Sequence, residues 1–268
     1  MRPSKLVVLL TFALGACRTA PPAKPAAALP PPKPLGPAFA LTGLTSTTQT
    51  LSSLTLDLTG QLRPDVTARE VDWKATIGDR EVGHGTAPLS GPGAFDLTLP
   101  ASFGKTLQDI QPYQTSDTVT VVVKASVAAG GQKLSDERAV DIRSPLLPKV
   151  RIINVESSRP ETGVLAFTFL LGIENPNPWD VRVGKLTYTS KLGDLTLPST
   201  NLPLESRVPG SNEMRYEISV GVNADNAGKE LKTILHATDL PWTFSGTLTV
   251  GGLDVPIDLT GSTAVSPD

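Results

Sequence analysis

Along much of this chain, apolar residues fall on alternate positions. Leu54, Leu56, Leu58, Gly60 and Leu62 share one face, with Thr55, Asp57, Thr59 and Gln61 on the other. Leu165, Phe167, Phe169, Leu171 and Ile173 repeat the pattern later. Phe95-Leu97-Leu99 has a counterpart in Tyr216-Ile218-Val220, and Val119-Val121-Val123 in Trp242-Phe244-Gly246-Leu248. Apolar residues at period two, bounded by Gly, Pro and Asn, predict strands buried on one face.

The matches keep their order. Leu56 to Phe167 is an offset of 111 residues, Gly78-Asp79 to Gly193-Asp194 is 115, and Gly130-Gly131 to Gly251-Gly252 is 121. A slowly drifting offset is what loop insertions do to a duplication. The chain therefore reads as all-β, with antiparallel β-sandwiches at 38–145 and 149–265 that meet near Ser144-Pro145-Leu146-Leu147-Pro148. Each copy is expected to hold one short helix. In the second, residues 224–235 place Ala227, Leu231, Ile234 and Leu235 on one side, and Asn223 or Asp225 is positioned to cap it. In the first, the weaker equivalent runs over 104–110.

The step in offset from 111 to 115 falls where the second copy reads Asn175-Pro176-Asn177-Pro178-Trp179, against only Arg63-Pro64-Asp65 in the first. Each proline pushes the preceding Asn toward extended geometry, and Asn side chains bond nearby backbone. The spacing predicts a rigid structural corner; ligand binding by Asn175 and Asn177 is the alternative. An apolar strand, this corner, then Leu186-Thr187-Tyr188 and the Gly193-Asp194 turn resemble late embryogenesis abundant proteins of type 2, which contain the WHy (water stress and hypersensitive response) domain. The resemblance covers about residues 150–262 and makes 38–145 a degenerate second copy. It implies an immunoglobulin-like or fibronectin-III-like sandwich and a part in tolerance of desiccation, cold and other stress.

The first residues are of another kind. Arg2 and Lys5 precede the apolar run Leu6–Leu14, then Gly15, Ala16 and Cys17, the only cysteine. Charge, a short apolar segment and small residues make a secretory signal too short to span a bilayer. Its end is similar to the lipobox of bacterial lipoproteins, which implies cleavage after residue 16 and lipidation of Cys17. Arg18 stands where some proteobacterial lipoproteins carry an inner-membrane-retaining Asp, so the resemblance points to the outer membrane, facing the periplasm. Two or three acyl chains, at ~0.8 kcal/mol per buried methylene, suffice as an anchor. Residues 20–37 carry eight prolines among Ala and Lys. Such a segment is extended or disordered, reaches at most ~56 Å, and reads as a spacer.

Removing residues 1–16 takes away Arg2 and Lys5 and no acidic residue, leaving 22 basic against 26 acidic residues. That balance, with no Lys/Arg cluster, argues against nucleic acid as a partner. The catalytic inventory is thin: His84 and His236 are the only histidines, no Gly-x-Ser-x-Gly occurs, and no His pair has metal-ligand spacing. Asn223, Asp225 and Gly228 fit three positions of a calcium loop, but Ile234 stands where a bidentate Glu belongs, so this reads as a helix start. No catalytic residue, metal or cofactor is expected. The sequence thus predicts a non-enzymatic lipoprotein of the cell envelope, acting in stress protection or in contact with envelope proteins. The alternative is a lipoprotein that holds a small apolar ligand or lipid.

Overall fold

The computed structural model describes residues 36–158, 164–223, 234 and 239–263. In the first half lie β1 (Phe39–Gln49), β2 (Ser53–Leu62), β3 (Glu70–Ile77), β4 (Arg80–Pro88), β5 (Gly93–Ser102), β6 (Thr118–Ala129) and β7 (Gln132–Arg143). In the second lie β8 (Lys149–Ser158), β9 (Val164–Glu174), β10 (Val181–Leu192), β11 (Leu195–Thr196), β12 (Thr200–Val208), β13 (Glu213–Asn223), β14 (Leu240–Val250) and β15 (Leu253–Thr263).

The sheets repeat. The first half pairs its strands in the orders β1-β2-β5 and β4-β3-β6-β7, and the second in the orders β8-β9-β13 and β12-β10-β14-β15, with β11 on the far end of β10. All these pairings are antiparallel, and among the described residues no strand pairs across 144–148. The fold is all-β, as the alternation predicts.

Inward positions explain the packing. Leu54, Leu56, Leu58 and Leu62 of β2 are buried with Val71, Trp73 and Ala75 of β3 and Val121 and Val123 of β6. In the second half, Phe244 of β14 lies 4.9 Å from the Tyr188 ring and 5.6 Å from the Phe169 ring, which joins the two sheets. Full burial of such a side chain contributes about 1.5–3 kcal/mol. Gly60 interrupts the leucines of β2 because the Phe95 ring, stacked on Phe39, fills the space a side chain there would need.

The turns follow from their residues. Gly130-Gly131 and Gly251-Gly252 join their strands as two-residue loops, with φ of 57° and 77° and of 57° and 86°. Positive φ at both positions is what a hairpin turn matching the strand twist requires. The edge of β1 is covered by side chains of β7: Leu41 N–H donates to Asp136 Oδ2 at 2.8 Å, and Arg138 Nε donates to the Leu41 carbonyl at 2.9 Å. An edge whose backbone groups are already engaged is a poor template for another chain.

The helix expected over 104–110 is shorter, α1 (Leu107–Ile110), followed by a 3-10 turn over Gln111–Tyr113. Gly104 sits at φ 130° and Thr106 is extended, acting as N-cap in a reciprocal capping box with Asp109. The helix touches β15 of the second half. Leu51, in the β1–β2 turn, is buried against Gly251 in the β14–β15 turn. Buried residues thus form one continuous cluster through both halves. Apart from Ile234, which is helical and buried, the helix expected over 224–235 lies outside the described residues.

Candidate functional site: the corner between the halves

The Asn175–Pro178 corner joins β9 to β10 at the end of the second half that meets the first. Asn175 and Asn177 are buried, at 0% and 1% exposure, so each amide must find partners inside the protein. Both do. Asn175 Nδ2 faces the carbonyls of Trp179 at 2.7 Å, Val208 at 3.1 Å and Pro209 at 3.2 Å. Its Oδ1 accepts from the backbone N–H and the Nδ2 of Asn177, both at 3.0 Å.

Asn177 then reaches out of its own half. Its Oδ1 accepts from Leu146 N–H at 2.9 Å, and its Nδ2 donates to the Leu146 carbonyl at 2.7 Å. The side chain pairs with one peptide of the connecting segment as a neighbouring strand would. Other side chains grip the same segment: Gln49 Nε2 donates to the Arg143 carbonyl, and Gln114 Nε2 to the Pro145 carbonyl at 2.9 Å. The connection between the halves is therefore held from both sides.

The 209–212 loop completes the corner, and sequence reasoning missed it. Asn175 N–H donates to the Asn212 carbonyl at 2.9 Å, and Ser211 N–H to the Asn177 carbonyl at 2.8 Å. Gly210 lies directly against the Pro178 carbonyl, so any side chain there would displace the corner. A glycine after Pro209 was the available signal, but only the β12–β13 turn reveals what it faces. Trp179 is half-buried, and its indole nitrogen has no hydrogen-bond partner among the described residues.

The remaining sequence candidates are scattered. Cys17, His236, Asp225 and Gly228 lie outside the described residues. His84 sits exposed on the edge strand β4, its Nδ1 against the Glu81 carboxylate, which also meets Lys74 Nζ at 2.6 Å. Hydrogen bonds from Lys74 and then His84 hold the Glu81 carboxyl below its usual range, as in a solvated ion cluster. Among the described residues no group of three or more His, Cys, Asp or Glu is placed to hold a metal, and no helix is long and apolar enough to cross a membrane.

Comparison with known proteins finds one family match: the model described as late embryogenesis abundant protein matches residues 170–261. That span runs from β9 through the corner to β15. Among solved structures, a solution structure from Arabidopsis thaliana is similar at 12% identity and a TM-score of 0.38, covering 45% of this chain and 84% of that one. A crystal structure of an Archaeoglobus fulgidus protein is similar at 11% identity and a TM-score of 0.33, covering 44% of this chain and 94% of that one. A red sea bream transglutaminase is similar at 11% identity and a TM-score of 0.29 over 85% of this chain and 31% of its own. Comparison with curated protein sequences finds no match. The corner and the strands around it lie within the segment, residues 170–261, over which this chain is similar to the late embryogenesis abundant family.

Proposed function

We propose that this chain is a lipid-anchored envelope protein that protects its surroundings during water stress and carries out no covalent chemistry. The observation that carries the reading is the family match over 170–261, which brings a stress-related role at the level of the family. The Leu14-Gly15-Ala16-Cys17 run motivates the anchor, and the proline-rich residues 20–37 supply a spacer.

The geometry gives this role a physical route. On the outer face of the five-stranded sheet, Thr187 of β10 stands opposite Thr247 of β14, Thr189 opposite Ser245 and Lys191 opposite Thr243, and on the far side of β14 Ser245 faces Asp258 and Thr243 faces Thr260. Each hydroxyl both donates and accepts, so this face keeps offering hydrogen bonds to a neighbour when water becomes scarce. Tethering raises the effective concentration of such a face at a membrane, where weak contacts at several points suffice.

A strain lacking the protein, compared with its parent after drying or osmotic shock, should survive less and leak more. A Cys17→Ser chain should leave the membrane fraction and fail to restore the parent's behaviour. Equal survival of parent and deletion strain would remove the protective reading and favour a lipoprotein carrying a small apolar ligand. Unchanged membrane partitioning of Cys17→Ser would remove the anchor.

A further inference from the structure

We infer that β13 pairs edge to edge with β13 of a second copy of this chain, about a two-fold axis at Tyr216. The other sheet edges are guarded. β1 and β7 engage each other through Leu41, Asp136 and Arg138. β8 is bulged at Ile153, and its Val155 carbonyl accepts from Thr263 Oγ1 at 2.9 Å. β5 carries Pro100, whose carbonyl lies against Gly83 of β4. β4 and β12 are bulged, β12 and β15 contain Pro203 and Pro256, and β11 has only two residues. Bulges, prolines, short length and covering contacts keep a sheet edge from pairing with another chain.

β13 has none of these. It runs for 11 residues without a proline and pairs with β9 without a register shift. The phase of its hydrogen bonds is set one residue earlier, where Asn175 N–H donates to the Asn212 carbonyl. In an antiparallel ladder every second residue bonds to the same neighbour. Met214, Tyr216 and Ile218 therefore turn their backbone groups to β9, while Glu213, Arg215, Glu217 and Ser219 turn theirs to the open edge. Among the described residues no second strand pairs with that edge, and no side chain bonds to those backbone groups.

Charge selects the occupant. The side chains of Glu213, Arg215, Glu217 and Ser219 stand on the solvent side of the sheet, opposite the buried Ile218 and Val220. An antiparallel copy centred on Tyr216 puts Arg215 opposite the partner's Glu217, and Glu217 opposite the partner's Arg215. Sliding the copy two residues one way sets Arg215 against Arg215, and the other way Glu217 against Glu217. A slip of one residue sets solvent-facing side chains against core-facing ones. Opposite charges across a strand pair stabilise it, and like charges destabilise it. Arg215 is steadied by Glu213, Nε to Oε1 at 3.1 Å, and Glu217 is in no ion pair among the described residues. The same charges repel strands of another order, so the edge favours a copy of itself. Both copies use the same patch, which closes the pair as a dimer.

Sedimentation velocity on the whole chain, carrying Cys17→Ser so that no lipid holds it, tests the pairing. A dimer with a Kd of about 10–100 µM is expected, because one strand pair buries less than a standard interface. Arg215→Glu and Glu217→Arg each set like charges against each other on both sides of the axis, and each should weaken the dimer at least about tenfold. Arg215→Glu combined with Glu217→Arg restores opposite charges in reversed order and should recover to within about threefold of the original. That recovery separates a lost partner from a misfolded strand. A chain that stays monomeric at about 0.5 mM, a dimer indifferent to both single changes, or a double variant as weak as either single one would overturn the pairing.

Discussion

The β2–β3 and β9–β10 turns occupy the same place in the two halves and do the same task with different chemistry. In the second half, Asn177 clasps the peptide of Leu146, three residues before β8 begins. In the first, Arg63 Nη1 donates to the carbonyl of Gly36, three residues before β1 begins, at 3.1 Å. Each corner side chain thus holds the chain where it enters its half. The Arg63 clasp is steadied by Asp65, with Nη2 to Oδ2 at 2.9 Å. That pair is accessible, its side chains 28% and 61% exposed, whereas the two asparagines are buried. Burying a charge requires a fully paired geometry, while a neutral amide needs only its hydrogen bonds. The corner enclosed by the other half therefore uses amides, and the open one uses an ion pair.

Breaking the buried corner at its centre should have the largest effect. Asn175→Ala removes the group that three carbonyls and Asn177 share, and is expected to cost about 3 kcal/mol, read from denaturant unfolding. Gly210→Ala, which drives a methyl group into the Pro178 carbonyl, should cost about 1–3 kcal/mol by the same measurement. Asn177→Ala should cost about 1–2 kcal/mol for its two bonds to Leu146. It should also separate the unfolding of the halves into two transitions, seen by following Trp73 and Trp242 environments or by calorimetry; one unsplit transition would show that the apolar contacts around Leu51 and α1 suffice to couple them.

The exposed corner should respond least, and to pH. Hydrogen bonding from Arg63 holds the Asp65 carboxyl below its ordinary range. Its contribution is present above the unfolded-state value, about 3.9, and is lost as pH falls through the lower folded-state value. Acid should therefore raise hydrogen exchange around Gly36 and Arg63 while leaving the Asn177–Leu146 clasp unchanged. Asp65→Asn should remove that acid response at the first corner. Equal acid sensitivity at both corners would erase the distinction between them.

The sequence displayed the strands with one face on the core better than the turns and polar edge strands around them. Strands β2, β6, β9 and β14, inside their sheets, announce themselves because one face of each packs on a core, so burial writes period two into the residues, and the edge strands β5 and β13 do so as well. Other edge strands carry less of that pattern: β1 ends in a run of Thr, Ser and Gln and is exposed there, β4 is broken by Gly83 and Gly85, and β12 contains Pro203. The Asn-Pro-Asn-Pro run identifies a corner from local chemistry alone. What it clasps was not legible, because Leu146 lies 31 residues away and carries no feature that marks its peptide as bound. The same holds for Gly210, whose neighbour is set by how β12 returns beside the corner. Local patterns report what a residue does within its own strand; contacts closed by topology leave no trace in sequence spacing.

The direction of β1 and β7 has a mechanical consequence. Both run from the end of the first half where the chain enters, near Phe39, toward the end where it leaves, near Arg143, and they lie against each other along the side-chain contacts at Leu41. A pull applied at residue 36 and resisted at residue 144 therefore loads these first and last strands lengthwise from opposite ends. Their links to each other and to the sheets are stressed together, not peeled one at a time. A protein held at one end of its chain and engaged at the other would meet force in its stronger direction.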